Sequence, residues 1–486
     1  MRPSLAVPCL LLLAAGGLLL SCAAPPENSL AITHVTVIDM TGAPPRVDQT
    51  VLLEKQRIAA MGPAGSIHWP RSAKIVDGSG KFLIPGLADM HVHLTAAGEP
   101  DGSRKFMIPL LVANGITTVR DMGGYLESLI PLRKEIADGK RLGPRIFYSG
   151  PYLDGSPPSF EPSFVVTNRT QANEDVHQLV QRRVDFIKVQ SILSRDAYFA
   201  IAEAARREHM AFVGHVPDHV TAAEAAEAGQ HSIEHLTNVL RGCSRDEPKL
   251  MREQFHVPTK EDTTARAHER VFRWQQELLD SFSSKKADEL LDRFAAKNVW
   301  QTPTLVLLKH DAFPTLENRD EENENEKYVP KATLENWQKS RAEQRRFVGQ
   351  AESDLRAGLL AKSLAVVAQM QKHGVDLLAG TDSPAPGVVP GFALHEELAL
   401  LVEAGLTPMQ ALQSATSGAA EFLGNEKDYG TVAAGKYADL VLLDANPLEN
   451  VRNTARIRAV VVQGQYLDRQ ALDGLLAEEL AFVRSH

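Results

Sequence analysis

The run LIPGLADMHVHL, from Leu83 to Leu94, is apolar until it delivers His91 and His93 two residues apart. Strand side chains alternate faces, so both imidazoles point the same way, with Asp89 behind them. Other strand-like runs also carry polar residues. Lys188 lies in VDFIKVQ, on the face of Val184 and Phe186. His215 is in MAFVGHV, His235 in HSIEHL and Asp382 in VDLLAGTDS. Each alone has a bland explanation: HxH occurs by chance, a strand lysine can snorkel, and an aspartate can cap a turn. Together, at the ends of five strands, they form a set. Imidazole and carboxylate suit Zn²⁺, with other divalent metals open. A buried ammonium beside two dications is strongly disfavoured. Lys188 makes chemical sense there if it is neutral and takes up CO₂, becoming an anionic carbamate long enough to bridge two metals.

Positioning such a set requires parallel strands whose C-terminal ends converge. The middle of the chain alternates strand-like runs (GLADMHVHL, GITTVRDM, GPRIFYSG, DFIKVQ, MAFVGHV, HSIEHL, VWQTPTLV and VDLLAGTDS) with Ala-, Glu- and Leu-rich helical stretches such as SRDAYFAIAEAARRE. That alternation predicts a (β/α)8 TIM barrel over 85–428, with a helical insertion at about 244–360. An open doubly wound sheet is the alternative, and the glycine-rich phosphate turn it often carries is missing. The charge-dense NRDEENENEKYVPK reads as solvated surface. Short β-type runs at 29–84 and 429–486 bracket the barrel and predict a small composite β-sandwich built from both chain ends. In TPMQALQSAT, Thr407, Pro408 and Gln410 read as a helix start with a capping box.

The first residues read as an export signal. MRPSLAVPCLLLLAAGGLLLS has one early cation and an apolar core too short for a confident membrane span. LLSC resembles a bacterial lipobox, which implies a signal peptide at 1–21, lipidation of Cys22 and a tether at 22–28. The expected localisation is therefore an exported lipoprotein, held to a membrane by its lipid anchor only. With Cys9 in the signal and Cys22 lipidated, Cys243 is the remaining cysteine, so no intramolecular disulfide framework is expected. A formal net charge of −9 without a basic block argues against nucleic acid as a partner.

The segments IPGLADMHVHL, TTVRDMGG, DFIKV, GHVP, SIEHL, GTDS and GTVAAGKYADLVLLDANPL resemble the amidohydrolase superfamily over nearly everything after the tether. DFIKV with GHVP and SIEHL is similar to its imidazolonepropionase-like and Xaa-Pro dipeptidase-like, binuclear carboxylated-lysine members. The glycine-glycine-histidine that many of those relatives carry after strand three is replaced by SGPYLDGSPPSFEPS. The resemblance implies that His91, His93 and Asp382 hold one metal, that His215 and His235 hold the second, and that carboxylated Lys188 bridges them. It further implies that Asp382 shuttles the proton of a metal-bridging hydroxide to the leaving nitrogen of an amide or peptide-like bond. Tyr152 could hydrogen-bond a substrate and His395 could border the pocket, while Arg120 could pair either with a substrate carboxylate or with nearby Asp121 or a neighbouring loop. The expected substrate is a small-molecule amide, an N-acyl amino acid or a dipeptide, and a homo-oligomer is compatible with the chain. Hydrolysis of cyclic amides, lactones or esters, an inactive barrel serving as a binding protein, and an exported solute receptor are the competing readings.

Overall fold

The computed structural model describes residues 29–95, 102–253, 264–312, 323–346 and 349–485. The expected export signal, lipidation site Cys22 and tether lie outside the described residues. Among the described residues no helix is long and apolar enough to cross a membrane.

The chain opens with Ser29–Val37 (β1), Arg46–Glu54 (β2), Arg57–Pro63 (β3), Lys74–Asp77 (β4) and Phe82–Pro85 (β5). Short strands follow at Leu87–Val92 (β6), Ile116–Asp121 (β7), Arg145–Tyr148 (β8), Tyr152–Asp154 (β9), Ser163–Val165 (β10), Ile187–Val189 (β11), Phe212–Gly214 (β12), Ser232–Glu234 (β13) and Trp300–Thr302 (β14). The C-terminal part adds Leu440–Leu443 (β15), Ile457–Val462 (β16) and Gln465–Asp468 (β17).

Both chain ends enter one eight-stranded sheet, ordered β17-β16-β15-β5-β1-β2-β3 with β4 on β1. β15 reads LVLL because both of its faces are covered. Leu440 and Leu442 join a core with Ile32, Val51 and Leu83, while Val441 and Leu443 face the main core. A two-residue side-chain period places the alternate pairs on opposite faces.

The middle strands pair in parallel, as β6-β7-β8 and as β10-β9-β11-β12-β13-β14. β8 and β9 are one strand direction interrupted at Gly150, which has φ 71°. β8 pairs with β7, and β9 pairs with β11. The stretch VDLLAGTDS, expected as an eighth strand, makes isolated bridges instead: Leu377 to Gln301 and Ser383 to Val92. Backbone bonds from Leu378 N to Gln301 O (2.9 Å) and from Met90 N to Ala379 O (2.9 Å) still tie it between β14 and β6. Regular strand geometry fails there because Asp382 adopts φ 65°. Gly380 lets the segment approach closely: a Cβ there would lie 2.8 Å from His91 Cβ and 2.6 Å from Thr302 Cγ2.

Helices alternate with the middle strands. Arg195–Arg207 starts at Ser194, whose side chain accepts from Ala197 N, and it buries Ala197, Ile201, Ala204 and Ala205 on one face. The Thr407–Gln410 capping box forms, with Pro408 in the first turn. The region at about 244–360, expected as a helical insertion around the seventh strand, holds β14 and the helix Ser284–Ala296 leading into it.

Gly380→Ala should destabilise the protein by about 1–3 kcal/mol through overpacking against β6 and β14, read as a fall in the thermal unfolding midpoint relative to wild type.

Candidate metal centre

The centre is built on strand ends, beginning one layer below it. Phe186 on the strand approach to β11 lies under the Arg120 guanidinium, 5.7 Å from charge to ring centroid. Lys188, two residues on and therefore on the same face, is carried one layer toward the C-terminal end and is buried. Its neighbour β12 ends in Gly214, where a Cβ would meet Val189 O at 2.2 Å and Lys188 Cδ at 2.9 Å. A larger residue would separate the two strands, and His215 follows immediately.

The four histidines form a chain of rings. Centroids are 5.3 Å apart for His91–His93, 4.4 Å for His91–His235 and 5.0 Å for His215–His235. Each ring spends Nδ1 on a protein partner. Glu234 Oε2 accepts from His91 Nδ1 at 2.9 Å, and Gly123 O accepts from His93 Nδ1 at 3.1 Å. Ser191 Oγ pairs with His215 Nδ1 at 2.8 Å, and Thr304 Oγ1 pairs with His235 Nδ1 at 2.8 Å. Nε2 is left available to ligate a metal in every ring, and an outer partner fixes each orientation. Asp382 Oδ1 stands 3.1 Å from His91 Nε2 and 3.0 Å from His93 Nε2. His91 Nε2 is buried and makes no hydrogen bond of good geometry. One oxygen facing two imidazole nitrogens, with ligand atoms within 4.8 Å of one another, fits a shared cation.

The charges agree with that fit. Burial, with Lys188 nearby, lowers the pKa of His91 and holds that of His215 well below the imidazole range. Burial takes His235 down to about 3. Three rings are thus neutral and able to ligate. Burial opposes ionisation of Asp382, but His235 and His91 hold its carboxyl well below the usual range. Burial lowers the Lys188 ammonium to about 8.

A sequence model described as the amidohydrolase family matches residues 82–467, most of the chain. The chain belongs to the amidohydrolase family. Over 100 residues it is 37% identical to a 5-methylthioadenosine/S-adenosylhomocysteine deaminase of Moorella thermoacetica, a match covering 19% of this chain and 23% of that protein. It thus spans about a quarter of that relative's length. Among solved structures it is similar to bottromycin amidohydrolase, with TM-score 0.75, 23% identity, and 94% and 91% of the two chains covered. It is also similar to a Xaa-Pro dipeptidase, with TM-score 0.63, 19% identity, and 90% and 100% covered. At these identities the likeness establishes the fold, a TIM-barrel-like α/β domain.

In this amidohydrolase Tyr152 stands beside the centre, its hydroxyl 3.1 Å from His93 Nδ1. That nitrogen already donates to Gly123 O, so the tyrosine oxygen can only accept there and keeps its own proton to donate. Two expected substrate contacts are corrected. Arg120 is fully buried below the centre. It donates to Met90 O (2.6 Å), Ser232 Oγ (3.1 Å), Glu234 Oε2 (2.8 Å) and Thr302 Oγ1 (3.0 Å), and a substrate carboxylate has no access to it. His395 Nδ1 pairs with Thr454 Oγ1 at 2.9 Å, and the ring meets the backbone of Asn114 just before β7, at the opposite end of the strands. Asp89 also stays out of the ligand set: Thr381 N and Thr381 Oγ1 donate to it at 3.0 and 2.7 Å.

Sequence reasoning missed Glu234. It is fully buried, and although burial disfavours its charge, Arg120 and His91 keep it well below the carboxyl range. Its signal was its place two residues after Ser232, on the inward face of β13.

Glu234→Gln should weaken metal binding about 10–100-fold by removing the acceptor that orients and polarises His91, measured by titration against a chelator of known affinity.

Proposed function

We propose that this amidohydrolase is an exported, metal-dependent hydrolase of carbon–nitrogen bonds in small amides, N-acyl amino acids or dipeptides. The observation that carries the reading is the common use of Nδ1 by all four histidines on protein partners, with Asp382 Oδ1 set against two of the Nε2 atoms.

His91, His93 and Asp382 would hold one divalent ion, His215 and His235 a second, and carboxylated Lys188 would bridge them, with zinc the best match to this donor set. Bound there, the ions supply Lewis acidity toward a scissile carbonyl and an activated water at neutral pH. Segment 376–383 is read as the eighth strand of a closed (β/α)8 barrel, with the terminal sheet packed beside it as a small sandwich. That closure is what brings Asp382 back to His91 and His93.

The chain's own residues do the rest. With its ammonium lowered to about 8, Lys188 supplies neutral amine near neutral pH, the form that can take up CO₂. Asp382 is kept ionised, so its carboxylate can accept a proton and return it to the leaving nitrogen, which departs poorly as an anion. Tyr152 donates its hydroxyl proton toward a substrate oxygen. Ser191 and Thr304 hold the rings of His215 and His235 in place. Phe186, Met122 and Val213 form a buried apolar cluster below the site.

Metal analysis after reconstitution with Zn²⁺ and bicarbonate should give two ions per chain. Lys188→Ala and Lys188→Arg should both lose metal and turnover, because guanidinium stays cationic and cannot be carboxylated. Asp382→Asn should lower turnover of a hydrolysed amide at least 10²-fold, on the order of a lost general acid–base group. Two ions and normal turnover in Lys188→Arg would falsify the bridging role.

The exported state rests on LLSC ahead of Cys22. Mass spectrometry of protein made in a bacterial host should find a lipidated N-terminus at Cys22; an unlipidated end elsewhere returns the protein to an ordinary secreted form.

A further inference from the structure

A cavity of about 350 Å³ lies among the helices Thr264–Asp280, Leu305–Ala312 and Gln350–Lys372. Its size is within the range of small-molecule sites. Its lining combines the apolar side chains Leu308, Leu359 and Leu360 with the charged side chains Asp311, Glu352 and Arg356.

The cavity is tied to the metal centre through one short helix. Leu305–Ala312 begins directly after Thr304, whose hydroxyl holds His235. Asp311 is six residues along that helix from Leu305, about 9 Å at the helical rise. Leu308 and Asp311 are three residues apart and share a face, so the helix offers the cavity an apolar surface and a carboxylate together. Asp311 is exposed; desolvation by its neighbours and the Asp382 charge still raise its carboxyl to about 6, against the opposing charges of Arg356 and His310. Asp311 is therefore mostly ionised at neutral pH.

The charge balance of the cavity is specific. Arg356 is already committed, with Nε donating to Glu352 Oε1 at 2.8 Å and Nη1 to Asp311 O at 3.0 Å. Its charge is matched by Glu352, which is buried. Glu352 Oε2 makes no hydrogen bond of good geometry, and His268 Nε2 stands 3.4 Å from it. With Arg356 and Glu352 offsetting one another, the Asp311 carboxylate is an anion without a cationic side chain hydrogen-bonded to it among the described residues.

We propose that this cavity is a substrate subsite that takes an apolar chain ending in a protonated amine, with Asp311 as the residue that selects the cation. A carboxylate-ended chain would meet the Asp311 carboxylate as a like charge. An uncharged chain would cover the leucines and leave Asp311 without a partner. The proposal rests on the hydrolytic reading of the metal centre for its place in catalysis, but the binding itself does not require turnover.

Calorimetric titration of the full chain with hexylamine and with hexanoate is the direct test. Hexylamine should bind and hexanoate should not. Asp311→Asn should weaken hexylamine about tenfold, the scale of a hydrogen bond to a charged group. Leu359→Trp, which fills the apolar part of the cavity, should abolish binding while the metal content stays unchanged. On the hydrolytic side, 6-aminohexanoyl 4-nitroanilide should show a higher kcat/KM than heptanoyl 4-nitroanilide, and Asp311→Asn should erase that preference. Absence of hexylamine binding, equal binding in both variants, or tighter binding of hexanoate would overturn the proposal. Failure of the hydrolytic reading is seen separately, as missing metal and no turnover of either anilide, and the titration remains decisive for the cavity.

Discussion

The centre depends on one buried ion pair. Glu234 and Arg120 are both fully enclosed, and neither charge could be kept there alone, since a lone buried ion costs far more than its neighbours can repay. Paired at 2.8 Å, they also do geometric work. Arg120 rises from β7 and donates to the backbone of β6, to two side chains of β13 and to Thr302 on β14. Four strands are held at fixed separations under the site. Glu234 then spends its remaining capacity on Ser232 and on His91 Nδ1. The orientation of the first ligand histidine is thus set by the same contacts that hold the strands together.

That arrangement explains why a polar floor is compatible with an apolar interior. Phe186 lies beneath the Arg120 guanidinium, and Phe422 lies 4.9 Å from it on another side. Ring faces tolerate a cation that aliphatic groups would not. Lys188 sits above this layer, where burial already favours its neutral form. A carbamate there would reverse its charge and face three neutral imidazoles, which is an easier electrostatic environment for dications than an ammonium is.

Much of this was legible because strands have a two-residue period. The period placed His91 with His93 and Lys188 with Phe186. It says less where the backbone leaves the extended region. His231 and His235 share a strand face, but His231 lies toward the other end of the run and stacks on Phe422, while His235 turns to the centre at φ 57°. Asp382 reaches His91 and His93 from a segment too irregular to pair as a strand. Arg120 was read as a substrate group because TTVRDMGG puts it near a strand end. No local pattern reveals that four acceptors from three other strands are waiting for it. Glu234 was overlooked for the complementary reason: a carboxylate one residue before a ligand histidine reads as facing away, and it does face a different direction from His235.

Some of the backbone irregularities lie where the chemistry would be. His235, Leu236, Asn238, Thr304 and Asp382 all have φ between 46° and 65°, in a region that side chains with a Cβ occupy at a cost. Two of these are proposed ligands, and Thr304 holds the ring of one of them. Extended strands alone would alternate their side chains and could present only every second residue to the centre. A left-handed residue at the strand end breaks that alternation and swings the next usable group inward. The fold therefore supplies most of its strength through regular, well-packed strands and helices, and spends part of it on a few unfavourable dihedrals. Those dihedrals persist because the hydrogen bonds around them, His235 N to Thr302 O and Asp382 N to His91 O among them, leave the backbone no unstrained alternative that keeps every buried group paired.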